Sequence, residues 1–227
     1  MAHYVMSDIH GDVDRFYAML KAIRFSDEDV LYILGDVVDR GPHGIKLLQE
    51  IMNLPNAVML LGNHEYMMMQ YFNPSVTSVD IRRWNKNGNQ STKAAYLKLK
   101  SKEQKRIMDY LNSCPSHLAV RIDGKNYYLV HGFPGENLHD EVWDRPKVDT
   151  SNPIHGSLLV VGHTPVHCLR KPDEKRIGFV EELKNRGEHL RIFHAPEFID
   201  IDCGCGYNTP IKALACLRLE DMAEYYV

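Results

Sequence analysis

Five apolar runs in this chain each break off into a tight group of acidic, amide or imidazole residues. Residues 3–7 lead into Asp8-Ile9-His10-Gly11-Asp12, and residues 30–34 into Gly35-Asp36-Val37-Val38-Asp39-Arg40-Gly41. Residues 57–61 end in Gly62-Asn63-His64-Glu65, 127–130 in His131-Gly132, and 158–161 in Gly162-His163-Thr164-Pro165. A run of that length, rich in β-branched and aromatic residues, reads as a strand. A single polar group behind a strand could be a turn or a helix cap. Repeated behind strand after strand, the groups point to a site, because open α/β sheets gather their sites beyond the carboxyl ends of the strands.

The intervening segments fit that reading. Residues 13–23 place Phe16, Leu20 and Ile23 on one helical face, and 44–52 do the same with Ile45, Leu48 and Met52. The β-α-β-α-β order implies right-handed crossovers and parallel pairing. Residues 65–111 are helical by pattern, with a polar break at 85–90. Residues 117–122 and 127–130, joined through Asp123-Gly124, read as a hairpin. Further strands are expected at 198–201 and 213–219. The charged segments 170–176 and 171–189 read as surface loop or insertion, and Lys98 to Lys105 as a solvated helix face. One domain over residues 1–227 is expected, without repeats or linkers.

Bulk properties narrow the function. A net charge of −3 over 227 residues, with a pI near 6.4, argues against nonspecific nucleic-acid binding. No apolar run reaches the ~20 residues of a membrane span, and the N-terminal stretch lacks the pattern of a secretory leader, so a cytoplasmic location is expected. Cys114, Cys168, Cys203, Cys205 and Cys216 are too few and scattered for a disulfide framework, and the C-x-C pair matches neither a redox nor a zinc motif.

The polar groups have the composition of a metal site. Asp8 and His10, two apart on extended backbone, would point to one side and grip one ion. Asp36 has two oxygens with which to bridge ions. Asn63 offers a carbonyl oxygen, while His131 and His163 offer ring nitrogens. A mixed oxygen and nitrogen set suits Mn²⁺, Fe or Zn²⁺ better than Mg²⁺ or thiolate-seeking metals. With two divalent ions and a hydroxide, Asp8 and Asp36 leave a centre of about +1, suited to a phosphate ester.

The segments SDIHGD, GDVVDRG, GNHE, His131-Gly132 and GHTP, in this order, resemble the signature of calcineurin-like metallophosphoesterases of the phosphoprotein phosphatase family. The likeness is to its small bacterial and phage-type serine/threonine phosphatases, with Ser7 standing where the family has glycine. It implies two mixed β-sheets face to face with helices outside, an α-β-β-α sandwich with metals at one rim. By that resemblance Asp8, His10 and Asp36 hold one metal, and Asp36, Asn63, His131 and His163 the other. Arg40 grasps phosphoryl oxygens. His64 protonates the leaving oxygen, and Asp39 orients it. In the Trp-x-Arg element Val142-Trp143-Asp144-Arg145, Arg145 is the second phosphate-binding arginine. Asn63 and His64 would then both touch the substrate region, and hydroxide held by the metals would attack phosphorus without a phosphoenzyme.

The implied function is a dinuclear phosphoesterase acting on phosphorylated protein or a small phosphoester, with serine/threonine protein phosphatase first. The alternatives are hydrolysis of a dinucleoside polyphosphate, or a metal-bearing binding protein without turnover. Glu65 is expected to be structural, and Met67, Met68 and Met69 to be helix packing. Asn87-Gly88-Asn89 reads as an ordinary turn first, with a loop beside the substrate as the alternative. Ile201-Asp202-Cys203-Gly204 reads as scaffold. His3, His43, His117, His139, His155, His167, His189 and His194 carry no ligand-like context.

Overall fold

Alternation along the strands decides the layering, and a computed structural model of the chain describes it for residues 1–169 and 176–227. The first sheet contains β1 (His3–Met6), β2 (Val30–Ile33) and β3 (Ala57–Met59), all parallel. Antiparallel β9 (Ala215–Arg218) and β10 (Glu224–Tyr226) extend it beyond β1, giving the order β10-β9-β1-β2-β3. The second sheet has the order β4-β5-β6-β8-β7, from β4 (His117–Ile122), β5 (Lys125–Val130), β6 (Leu158–Val161), β7 (Phe193–His194) and β8 (Phe198–Asp200). Its β5, β6 and β8 are parallel, with antiparallel β4 and β7 at the edges.

Side chains on successive strand positions point to opposite faces. Val5, Tyr32 and Leu34 of the first sheet therefore meet Tyr127, Leu129, Val160 and Ile199 of the second in one buried inter-sheet cluster. The alternate positions, Tyr4, Met6, Leu31 and Ile33, face outward onto Phe16, Met19, Leu47, Leu48 and Ile51. Those partners come from α1 (Val13–Ala22) and α2 (Gly44–Met52). Val130, Leu159, Val161 and Phe198 form a smaller cluster on the outer face of the second sheet, with Phe133 and Leu169. Each such side chain stabilises the fold by about 1.5–3 kcal/mol.

The helical middle consists of α3 (Asn63–Tyr71), α4 (Ser78–Lys86), α5 (Gln90–Leu97) and α6 (Ser101–Ser113). Met67 and Met68 are buried in the helical cluster, as their spacing suggests. The hairpin turn at Asp123 and Gly124 has φ of 47° and 79°, the paired left-handed conformation that matches strand twist. A short helix, α7 (Leu138–Trp143), follows β5.

Residues 181–188 are exposed apart from Leu183, in keeping with the surface reading of 171–189. Residues 170–175 lie outside the described ones, and α8 (Arg176–Arg186) buries Leu183 against the inter-sheet cluster. Among the described residues no helix is long and apolar enough to cross a membrane.

Candidate metal centre

The carboxyl ends of β1, β2, β3, β5 and β6 open on one rim, and their following loops bring Asp8, His10, Asp36, Asn63, His131 and His163 together. All six are buried. Asp36 stands between the groups. His131 Nε2 lies 3.3 Å from its Oδ1, and His10 Nε2 lies 3.6 Å from its Oδ2. Asn63 Oδ1 lies 3.1 Å from His131 Nε2. Ligand atoms of Asp36, His131 and His163 all fall within 4.8 Å of one another, as do those of His10, Asp36 and His64. Asp8 Oδ1 faces His10 Nε2 at 3.9 Å, while its Oδ2 accepts Ser7 Oγ–H at 2.5 Å and the His163 N–H at 2.9 Å. Ser7 thus braces a carboxylate.

The imidazole rings are aimed from behind. His10 Nδ1 is 2.9 Å from the Val38 carbonyl and His131 Nδ1 is 2.5 Å from that of Leu34, which turns each Nε2 toward Asp36. A hydrogen bond to the Trp143 backbone does the same for His163. Burial, followed by the Arg40 charge at His10 and by the His131 ring at His163, holds both groups well below the ordinary imidazole range. Burial also lowers His131. Neutral rings keep a lone pair for a cation.

Burial, with Asp8 and Glu65 nearby, pushes the Asp36 carboxyl well above its usual range, a cost that a bound cation would reverse. Two buried nitrogens, His10 Nε2 and His163 Nε2, have no hydrogen-bond partner among the described residues. Orphaned acceptors beside a two-oxygen carboxylate are what divalent cations require, so the residues fit a metal pair.

Backbone strain is concentrated at the same rim. Among the described residues, six of the nine non-glycine residues with positive φ are Asp8, His10, Asp36, Asp39, Arg40 and His163. Such conformations cost about 1–3 kcal/mol each and persist where the surroundings impose them. This overturns the extended geometry expected for Asp8 and His10. With φ of 55° and 50°, they kink so that their N–H groups reach the carbonyls of Gly35 and Asp36 at 3.2 and 2.9 Å.

Beside Asp36, His64 Nδ1 lies 2.7 Å from Asp39 Oδ2, and both side chains are fully buried. Its Nε2 lies 3.8 Å from Asp36 Oδ2 and 3.1 Å from Arg40 Nη2. Burial and then the Arg40 charge lower the His64 pKa well below the ordinary range, while burial pushes Asp39 up to about 7. Arg40 stacks over Tyr207 at 4.6 Å. Arg145 is exposed beside His163, to whose carbonyl its Nη1 donates at 3.3 Å.

Several supports escaped the sequence reading. Trp84 Nε1–H donates to Asp39 Oδ2 at 2.7 Å, the Asp39 N–H donates to Thr92 Oγ1 at 2.8 Å, and the Arg40 N–H donates to the Gly88 carbonyl at 2.9 Å. The stretch 87–89 is therefore more than an ordinary turn, and the helix break at 85–90 was its signal. Glu65 is structural as expected: Oε2 accepts from Asp36 and Gly62, and Oε1 from Val37 and Val38, at 2.8–3.2 Å.

β8 stops at Asp200, and residues 201–204 continue as a loop whose role is scaffold as expected: the Gly204 N–H donates to Asp202 Oδ1 at 2.8 Å and the Ala213 N–H to the Cys203 carbonyl at 3.0 Å. The loop beyond lays Gly206 against the His10 ring, where a Cβ would collide, and brings Tyr207 to Arg40. Among the eight histidines without ligand-like context, His3, His117 and His194 pair with Glu220, Glu141 and Glu224, away from the metal groups.

Comparison with known proteins agrees with this geometry. A family model described as calcineurin-like phosphoesterase matches residues 1–195. The symmetrical bis(5'-nucleosyl)-tetraphosphatase of Salmonella typhimurium is 39% identical over 74 residues, 32% of this chain and 26% of the relative. The match therefore spans about a quarter of that curated protein. Among solved structures, a candidate diadenosine tetraphosphatase gives a TM-score of 0.62 at 18% identity, covering 100% of this chain and 92% of the other. A Saccharomyces cerevisiae serine/threonine phosphatase gives 0.60 at 13% identity, covering 97% and 73%. At those identities the structural likeness shows the fold alone. With the family model matched across most of its length, the chain belongs to the calcineurin-like phosphoesterase family.

Proposed function

We propose that the protein hydrolyses phosphate monoesters with two divalent cations, Mn²⁺ first with Fe or Zn²⁺ as the alternatives, and that its natural substrates are serine/threonine phosphoproteins. One observation carries the reading: neutral, buried imidazoles flank both oxygens of Asp36, and a guanidinium stands at the same rim. Asp8, His10 and Asp36 would hold one ion, and Asp36, Asn63, His131 and His163 the other. When bound, such a pair supplies Lewis acidity and an activated water.

The chain's own groups do the rest. Arg40 presents a planar fork to the phosphoryl oxygens, and Arg145 supplies charge from the other side. Asp39 fixes the His64 ring by holding Nδ1, which leaves Nε2, here accepting from Arg40, as the end that would take up a proton and pass it to the departing oxygen.

That buried acid favours a monoester. A serine or threonine oxygen leaves poorly unless protonated, whereas a polyphosphate is already a stabilised leaving group. The second reading, dinucleoside polyphosphate hydrolysis, is favoured by the tetraphosphatase relative.

Parallel assays of phosphoserine or phosphothreonine peptides and diadenosine tetraphosphate on Mn²⁺-loaded protein separate the two. We expect peptide turnover, reduced about 10²–10⁴-fold in His64→Ala. Decisive preference for the dinucleotide would install the second reading. Equal background on p-nitrophenyl phosphate in wild type, Asp36→Asn and His64→Ala would leave only a metal-bearing binding protein.

A further inference from the structure

From the geometry around Asp39 we infer that Trp84 is a positioning residue for the leaving-group proton, acting through its indole N–H on Asp39 and hence on His64. The inference rests on the acid role proposed for His64. Asp39 Oδ2 is shared: His64 Nδ1 reaches it at 2.7 Å from one side and Trp84 Nε1 at 2.7 Å from the other. The backbone of the same residue is held by Thr92 Oγ1 at 2.8 Å.

All four groups are fully buried. With the carboxylate fully buried, a charge-assisted bond in such a place is short and directional. Asp39 also carries a φ of 68°, so its carboxylate direction is not set by ordinary loop backbone.

Trp84 itself is held in place. It sits in the last turn of α4, fully buried, with ring centroids of Tyr71 and Phe72 at 4.9 and 5.8 Å. A helix that crosses no metal loop thereby sets the angle at which Asp39 meets His64. Without the indole N–H, Oδ2 can rotate about the Asp39 side chain, and His64 Nδ1 loses its fixed acceptor. The deficit would fall on proton delivery alone, since Trp84 makes no contact with the metal-binding groups among the described interactions.

The test removes the indole N–H in two ways: Trp84→Phe, which also loses a ring, and benzothienylalanine at position 84, which keeps the bicyclic shape and sets a sulfur where the N–H was. Hydrolysis is compared between p-nitrophenyl phosphate, a good leaving group, and glycerol 2-phosphate, a poor one. Thermal melting checks that each variant is folded. We expect roughly a tenfold loss on the alkyl ester, a part of the ~10²–10⁴ due to a general acid. On the aryl ester we expect under about threefold, because that leaving group needs little protonation.

A readout independent of turnover is the indole proton resonance. With two tryptophans in the chain, that of Trp84 should move upfield in Asp39→Ala while that of Trp143 stays. Equal losses on both esters, no loss, or an unmoved Trp84 resonance would overturn the inference. His64→Ala serves as the reference: if it too lacks leaving-group dependence, the acid role itself fails and the inference falls with it.

Discussion

Glu65 grips the turn that carries Asp36, accepting the Asp36 backbone N–H at 2.8 Å while its second oxygen takes those of Val37 and Val38. A carboxylate is required there because every group facing it is a donor. Glu65→Gln would set an amide N–H₂ against backbone N–H groups. The expected cost is about 2–3 kcal/mol, or a melting point lower by roughly 5–10 °C for a chain of this size, together with weaker metal uptake. A melting point within about 2 °C of wild type would show that the turn holds its shape without this clamp.

Among the described residues Asp36 is the side chain common to both groups that could hold a metal, so on the proposed reading its removal should be felt by the pair rather than by one site. In Asp36→Asn, metal analysis after Mn²⁺ loading should fall from about two ions per chain toward one, with p-nitrophenyl phosphate turnover down at least ~10²-fold. Asn63→Ala should weaken the His131 side only. Unchanged metal content in Asp36→Asn would rule out the bridging position.

Arg40→Lys tests whether a point charge suffices at the rim. Lysine cannot form a planar fork or stack flat on Tyr207 as the guanidinium does at 4.6 Å. An increase of roughly tenfold in KM is expected, with the same direction and a smaller size in Arg145→Lys, whose side chain is exposed. A KM equal to wild type in Arg40→Lys would remove the bidentate contact from the reading.

What the sequence disclosed follows from the length scale of each interaction. The apolar runs ending in Asp8, Asp36, Asn63, His131 and His163 were legible because strand period and polar punctuation are local. The strands expected at residues 158–161 and 117–122 match β6 and β4 to the residue. β7 and β10 were missed, being two and three residues long and held only by pairing with distant strands. The left-handed kinks at Asp8 and His10 were invisible because they arise from hydrogen bonds to the neighbouring loop. Trp84 and Thr92 were hidden for the same reason: each lies about fifty residues from Asp39 along the chain, yet bonds directly to it in the fold.

The inter-sheet core should be separable from the site. Leu217 on β9 and Tyr127 on β5 are fully buried between the sheets, and the Tyr127 hydroxyl donates to the Leu219 carbonyl at 2.6 Å. Leu217→Ala should cost about 2–5 kcal/mol and Tyr127→Phe about 1–2 kcal/mol, read from denaturant melts. Both variants should keep wild-type metal content. Loss of metal in Leu217→Ala at temperatures where it remains folded would mean that the loops depend on sheet packing more closely than their own hydrogen bonds indicate.

The cysteines give a final check on the packing of the loop beside His10. Burial pushes the Cys205 thiol up to about 12 and also raises Cys203 and Cys216 well above the ordinary thiol range. Only the thiolate reacts with alkylating reagents, so at pH 8 these three should be inert in the folded protein. Cys168, which is exposed, should be modified first, and Cys114 more slowly, since burial raises it to about 12 as well. Mass spectrometry of peptides after brief iodoacetamide treatment gives the order. Early labelling of Cys205 would mean that the loop carrying Gly206 and Tyr207 opens, and that the cover over His10 is looser than its contacts imply.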